Sequence, residues 1–193
     1  MRTDETLLSM LRVSGALLEG HFLLSSGLHS DRYVQCARLT MYPEHNTYVS
    51  AHLAALYQGE KIDVVIGGAF GGIIIAYGIA RELGVRTMFA ERVDGVFSLR
   101  RGFSIAPGER VLIAEDVCTP GKSILEVKEL VDKHGGITVG AAVIVDRGQP
   151  EGADLGIRKE WLHSVEATSW KADACALCKS GSTPVKPGSR RNT

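Results

Sequence analysis

Between residues 63 and 146 the chain repeats one pattern, and that pattern restricts the fold more than any other feature. "DVVIGG" (63–68) runs into "GGIIIAYGIARELG" (71–84), "RTMFAE" (86–91) follows, then "RVLIAED" (110–116), "KSILEVKELVDKHGG" (122–136) and "TVGAAVIVD" (138–146). The short runs are rich in Val, Ile and Ala and lack polar alternation, so each needs cover on both faces. The longer stretches carry apolar residues at helical spacing, and Gly84 and Gly135 stand where helices are closed. Strands covered on both faces and alternating with helices imply a parallel sheet between two helical layers, an α/β fold. The 193 residues suit one domain over 1–193, and a chain of that size buries roughly 70% of its unfolded surface.

The flanks read differently. "TDETLLSMLRVSGALLEG" predicts a helix capped by Thr3 or Asp4, with Leu7, Leu8, Leu11, Leu17 and Leu18 near helical spacing. "GHFLLSSGLHSDRYVQ" predicts two short strands around a turn at Ser26-Gly27, and "YPEHNTYVSAHLAALYQ" a helix with Pro43 near its start. "RVDGVFSLRRGFSIAPGE", inserted between two strands of the repeat, reads as a hairpin or mobile arm. The tail "CALCKSGSTPVKPGSRRNT" is polar and rich in Gly, Ser and Pro, a composition for loose order.

Charge limits the function. Lys and Arg number 22, as do Asp and Glu, so a general nucleic-acid or membrane binder is disfavoured and an anion site must come from local clustering. "MRTDETLLSML" is acidic and lacks a long apolar run, so it predicts neither a signal peptide nor a span. Four scattered cysteines suit a reduced, cytoplasmic protein. Cys175 and Cys178 form a C-x-x-C, but no second pair follows to complete four ligands, and only His163 suggests itself as a distant third. His21, His29 and His45 read as surface or hood residues rather than catalysts, and no protein metal centre is expected.

The stretch "VLIAEDVCTPGKS" (111–123) carries the chemistry. Gly121-Lys122-Ser123 fits the end of a P-loop, but Asp116 stands where its first glycine belongs. Two unit charges ~4 Å apart interact by about 4 kcal/mol at an effective dielectric of 20, and a carboxylate against polyphosphate makes that repulsive. Carboxylates suit hydroxyl groups instead. Glu115 and Asp116 at a strand end therefore fit a ribose diol. The loop Thr119 to Ser123 at a helix N-terminus fits a phosphate. Together they read a ribose 5-phosphate. A solvated strand end and a plain turn are the structural alternative.

This stretch resembles the phosphoribosyl pyrophosphate motif of type I phosphoribosyltransferases. "GHFLLSSGLHSDRYVQ", "GGAFGGIIIAYGIARELG", "FAER", "LRRGF", "VDRG" and the tail narrow the resemblance to the orotate phosphoribosyltransferase family, over nearly the whole chain. It implies a parallel sheet flanked by helices, with residues 1–40 and roughly 160–193 forming a small hood and tail. It also implies a homodimer sharing an active-site arm, and phosphoribosyl transfer from phosphoribosyl diphosphate to orotate with Mg2+ bound mainly through substrate.

The resemblance assigns residues. Asp116, Glu115 and Arg101 are the expected catalytic groups. Glu115, Asp116, Thr119, Pro120, Gly121, Lys122, Ser123, Phe70, Gly71, Gly72, Arg92 and Arg100 are expected around phosphoribosyl diphosphate, and Tyr33, Thr119 and Arg147 around orotate. The chain departs from many relatives in having Ser25 and Gly71 where they carry lysine, and an arm with arginines but no lysine or histidine. A purine phosphoribosyltransferase and a non-catalytic sensor of phosphoribosyl diphosphate are the rival readings.

Overall fold

The computed structural model describes residues 2–24, 26–119, 121–148 and 154–187. The expectations placed on Ser25, Pro120 and the last six residues lie outside them. Six strands form the main sheet in the order β5-β4-β3-β6-β7-β8. β3 (Val64–Gly68), β4 (Arg86–Val93), β6 (Arg110–Cys118), β7 (Ile137–Asp146) and β8 (Lys159–Ser164) are mutually parallel, and β5 (Val96–Ser98) returns antiparallel beside β4. The two-sided apolar strands expected from sequence are β3, β4, β6 and β7.

Their side chains alternate between two cores. Val65, Leu112 and Ala142 face one side and pack with Leu53 of α3 (Pro43–Ala55) and with Ile75 and Ile79 of α4 (Gly71–Leu83). Val64, Ile66, Ile113 and Val143 face the other and pack with Ile124, Val127 and Val131 of α5 (Lys122–Lys133). The period-2 geometry of a strand supplies both faces from one continuous apolar run. α3 starts with Pro43 at its first position, and α4 is closed by Gly84 in the left-handed region.

After β3 the chain turns to β4 on one side, then crosses back to β6 on the other. The order reverses between β3 and β6, and ligands of open α/β sheets bind beyond the carboxyl ends of strands at such a point. Glu115, Asp116 and the β3–α4 loop all lie there.

A second, antiparallel sheet caps this end, in the order β1-β2-β9, from β1 (Leu17–Leu23), β2 (His29–Val34) and β9 (Ser169–Trp170). Two expectations are corrected. The first helix, α1 (Glu5–Val13), is capped by Asp4 but stops before Leu17 and Leu18, which belong to β1; Gly15, at φ 65°, turns the chain between them. Residues 159–164 are the edge strand of the main sheet rather than the start of the hood. Only Leu162 and His163 of this strand are buried and the rest are half-buried, so "KEWLHS" lacks the apolar run that marks its neighbours. The short α2 (Ala37–Thr40) was also not legible.

Candidate active site

β6 ends in a short loop that starts α5. Its apolar part, Val111 to Ala114, is buried, and Glu115, Asp116 and Val117 emerge half-buried. Gly121 sits at φ 81°, a conformation that glycine adopts without steric cost. A methyl there would also come within 2.5 Å of Leu155 Cδ2. Glu115, Thr119, Gly121, Lys122 and Ser123 line a cavity of about 150 Å³. Among the described residues no side chain caps α5, so its first backbone N–H groups and dipole are available to an anion.

A larger cavity of about 540 Å³ adjoins it, lined by Tyr33, Gln35, Asp116, Thr119, Lys122 and Arg147 among others. Thr119 and Lys122 line both. Arg147 follows β7; its backbone N–H donates to the Cys118 carbonyl at 2.7 Å. Its guanidinium reaches the hood and donates to Ser30 Oγ at 3.1 Å and the Arg32 carbonyl at 2.9 Å. Arg147 Nε is buried without a partner among the described residues. Burial pulls the Arg147 pKa down from its usual value, while Tyr33 and Asp31 oppose the shift. The Tyr33 hydroxyl is pushed up, first by burial and then by the charge of Asp116.

The two acids divide between the cavities. Glu115 lines the smaller and Asp116 the larger, as neighbours on a strand do. They remain coupled. The Asp116 N–H donates to Glu115 Oε1 at 3.1 Å, and Asp116 Oδ1 accepts from the Val117 N–H at 2.8 Å. Burial, then the charge of Asp116, hold the Glu115 carboxyl well above the usual carboxylate range, with Arg92 opposing.

Across the crevice the β3–α4 loop contains a cis peptide between Ala69 and Phe70, and Phe70 is 88% exposed. A methyl on Gly71 would meet Asp116 Oδ2 at 2.6 Å. The departure at Gly71 thus has a steric consequence: the missing side chain is the space into which the carboxylate of Asp116 reaches. Gly72 lies beneath, against the Ala114 carbonyl.

The arm is a hairpin. β4 and β5 pair through Val93 and Val96, with Asp94 and Gly95 both at positive φ between them, the turn that matches strand twist. Arg101 holds Glu91 through two hydrogen bonds of 2.9 Å. Arg92 donates to the Gly95 carbonyl at 2.6 Å and pairs with Glu126 of α5. Arg100 lies close enough to lower the Glu91 pKa along with Arg101. The fold therefore gathers Tyr33, Glu115, Asp116, Thr119, Gly121, Lys122, Ser123 and Arg147 around two joined cavities, with Gly71 against Asp116. It leaves Arg92 paired with Glu126 of α5 and Arg101 with Glu91 of β4, part-exposed ion pairs of a kind that is weak and exchangeable in water.

Sequence reasoning missed Ser30 and Gln35, because a polar residue on a short strand carries no signal of its own. It placed His21 and His29 at the surface or in the hood without pairing them to the cysteines, and offered His163 as a distant third ligand. His21 and His29 are buried and lie against Cys175 and Cys178. His163 stands apart in β8, where its Nδ1 accepts from the Asp4 N–H at 3.2 Å.

Comparison with known proteins fits this geometry. Residues 46–175 match the family model of the phosphoribosyl transferase domain, and the chain belongs to that family. Within it the chain falls among the orotate phosphoribosyltransferases. It is 50% identical to the orotate phosphoribosyltransferase of Pelotomaculum thermopropionicum over 98% of this chain and 99% of that one. Identity to the enzyme of Caldanaerobacter subterraneus is 48%, over 97% and 98%. The crystal structure of orotate phosphoribosyltransferase from Aeropyrum pernix superposes with a TM-score of 0.66 at 29% identity, covering 82% of this chain and 93% of that chain.

Proposed function

We infer from the site how this orotate phosphoribosyltransferase works. It transfers the phosphoribosyl group from phosphoribosyl diphosphate to orotate and gives orotidine 5′-monophosphate and diphosphate, a step of pyrimidine synthesis. The bond from the anomeric carbon to diphosphate breaks, a bond to the orotate ring nitrogen forms, and that nitrogen's proton leaves. The smaller cavity at the start of α5 takes the 5-phosphate through backbone N–H groups, Thr119, Lys122 and Ser123. The ribose lies over Glu115 and Asp116. As the anomeric carbon loses diphosphate, positive charge builds on the sugar, and the carboxylate of Asp116 stabilises it more than it stabilises the neutral ground state. The β3–α4 loop, with Phe70, Gly71 and Gly72, meets the diphosphate. Arg92, Arg100 and Arg101 supply positive charge once Arg92 leaves Glu126 and Arg101 leaves Glu91.

One observation favours orotate over a purine base. Arg147, whose Nε has no partner among the described residues, is a wall of the larger cavity, and a guanidinium is suited to a carboxylate. Orotate has a carboxylate and purine bases have none. Tyr33 and Thr119 complete that wall.

Magnesium fits the donor set. It prefers oxygen and is commonly held by one or two carboxylates together with substrate phosphates; the carboxylate of Asp116 is of that kind, and a cation beside Glu115 would draw its raised pKa back down. When bound, mainly through substrate, it neutralises charge on the departing diphosphate. A homodimer with an arm shared between subunits is consistent with the exposed apolar residues Phe70, Ile74 and Tyr77, spaced along one side of α4. A cytoplasmic location accords with four free cysteines. No helix among the described residues is long and apolar enough to cross a membrane.

Loss of orotate absorbance is the test. Orotate is consumed only with phosphoribosyl diphosphate and magnesium, and uracil, adenine, guanine and hypoxanthine are poor substrates. Equal turnover of uracil and orotate removes the role given to Arg147.

A further inference from the structure

We propose that His21, His29, Cys175 and Cys178 form a structural zinc site that fastens the C-terminal segment to the hood. The four come from three places in the fold. His21 is in β1, His29 is in β2, and the cysteines flank the start of α6 (Ala176–Lys179). One ligand atom from each lies within 4.8 Å of all the others. His21 Nε2 and His29 Nδ1 are 2.9 Å apart. Cys175 Sγ is 3.4 Å from His21 Nε2, and Cys178 Sγ is 3.8 Å from His21 Nε2 and 3.3 Å from His29 Nδ1. A tetrahedral zinc with ordinary Zn–N and Zn–S bonds sets N···N at about 3.3 Å and N···S at about 3.6 Å. Movements of a few tenths of an ångström bring these four atoms to that geometry. Two thiolates and two imidazoles in a tetrahedron are also the donor set that zinc favours over magnesium or calcium.

Two further observations point the same way. His21 Nδ1 lies 3.1 Å from Ser182 Oγ. With its proton given to that hydroxyl, Nε2 carries the free lone pair and faces the cysteines; an outer partner of this kind fixes the ligating nitrogen in metal sites. The second observation is the poverty of the segment's other attachments. Among residues 171–187 Cys175 alone is buried. Its helical pieces, Ala172–Ala174 and Ala176–Lys179, are too short to hold themselves. The remaining ties include paired hydrogen bonds of 2.8 Å linking Val185 to His21 and Leu23. A metal linking β1 and β2 to the cysteines supplies the anchor that apolar burial does not. On binding, each thiol loses its proton to solvent and the sulfur lone pair forms the bond to zinc; no oxidant is needed.

The site also bears on the crevice without touching it. His29 precedes Ser30, which accepts from the Arg147 guanidinium, so a loose β2 misplaces the residue that faces the base. These four groups are positioning residues for that wall.

The test uses the full chain, untagged, purified under reducing conditions from medium containing zinc. Elemental analysis is expected to give one zinc per chain, and a Cys175→Ser, Cys178→Ser double variant is expected to lose it. Cobalt added to chelator-stripped wild-type protein is expected to give tetrahedral d–d bands with sulfur-to-metal charge transfer. Ser182→Ala leaves all four ligands in place and should weaken zinc about 10-fold in competition with a chromogenic chelator. Loss of the metal should raise the KM for orotate more than it lowers kcat. Wild-type protein that carries no zinc and gives no tetrahedral cobalt spectrum overturns the proposal. So does zinc retained by the double variant, or a Cys175–Cys178 disulfide in protein kept reduced. The zinc, cobalt and chelator readouts are independent of the substrate reading.

Discussion

At the scale of single residues, the carboxylate of Asp116 is the decisive group, and two changes separate its charge from its position. Asp116→Asn keeps shape and removes charge. If that charge stabilises a cationic ribose, kcat falls about 10²–10³-fold while binding of phosphoribosyl diphosphate changes little. Steady-state kinetics with folding checked by circular dichroism decide; weaker binding with turnover spared would leave Asp116 only a holder of hydroxyls. Gly71→Ala keeps the charge and crowds it, since the new methyl would lie 2.6 Å from Asp116 Oδ2. The helix tolerates alanine, so thermal stability should hold while kcat drops on the order of 10²-fold, the usual cost of misplacing a reacting group by an ångström. His163 gives a pH dependence. Burial lowers its pKa, with Asp4 and Glu5 opposing, so below about pH 6.5 the unfolded chain binds more protons than the folded one. Stability is therefore full above that value and falls as pH drops toward the folded pKa. His163→Asn, which can still accept from Asp4, should flatten this limb of a melting-temperature series. An unchanged slope would assign the acid sensitivity elsewhere.

At the scale of elements, the β6–α5 unit splits one motif between two jobs. The strand end carries acids and the helix start carries donors. Only the donors face a group that keeps its charge throughout the reaction. Ser123→Ala should therefore weaken phosphoribosyl diphosphate binding by roughly 1.5–3 kcal/mol, the worth of a hydrogen bond to a charged group, with kcat nearly unchanged. Substrate titration by calorimetry and steady-state kinetics give both quantities. A fall in kcat without weaker binding would move Ser123 from the phosphate to the reacting centre. The arm is the contrasting element. Its hairpin turn is fixed by Asp94-Gly95, yet Arg92 and Arg101 hold Glu126 and Glu91 of the same chain. Nothing in "RVDGVFSLRRGF" tells which acids its arginines will find.

At the scale of the whole molecule, a shared arm makes a prediction that no monomer can satisfy. An Arg101→Ala subunit mixed with an Asp116→Asn subunit should regain activity. If the arm from Val93 to Phe103 acts across an interface, both lesions gather in one site and the other is intact. Activity that stays at the level of the parents after subunit exchange, verified by native mass spectrometry, counts against sharing.

The sequence alone determined the four central strands of the main sheet and the motif at the end of β6. A strand apolar on both faces has one environment that suits it, and an acid pair before a turn-and-helix start has few chemical uses. Its readings ran out where the signal was not local. β8 is an edge strand whose residues are mostly half-buried, so "KEWLHS" shows no apolar run, and Leu17 and Leu18 fit helix spacing as well as they fit β1. Arg147 could be assigned a base only through resemblance; the structure seats it beneath Ser30 and the Arg32 carbonyl. The same holds for the cysteines. Nothing along the chain links His21 and His29 to a C-x-x-C some 150 residues later. Periodicity records how a residue meets its own element, and the folding of the tail onto β1 and β2 decided which distant side chains meet each other.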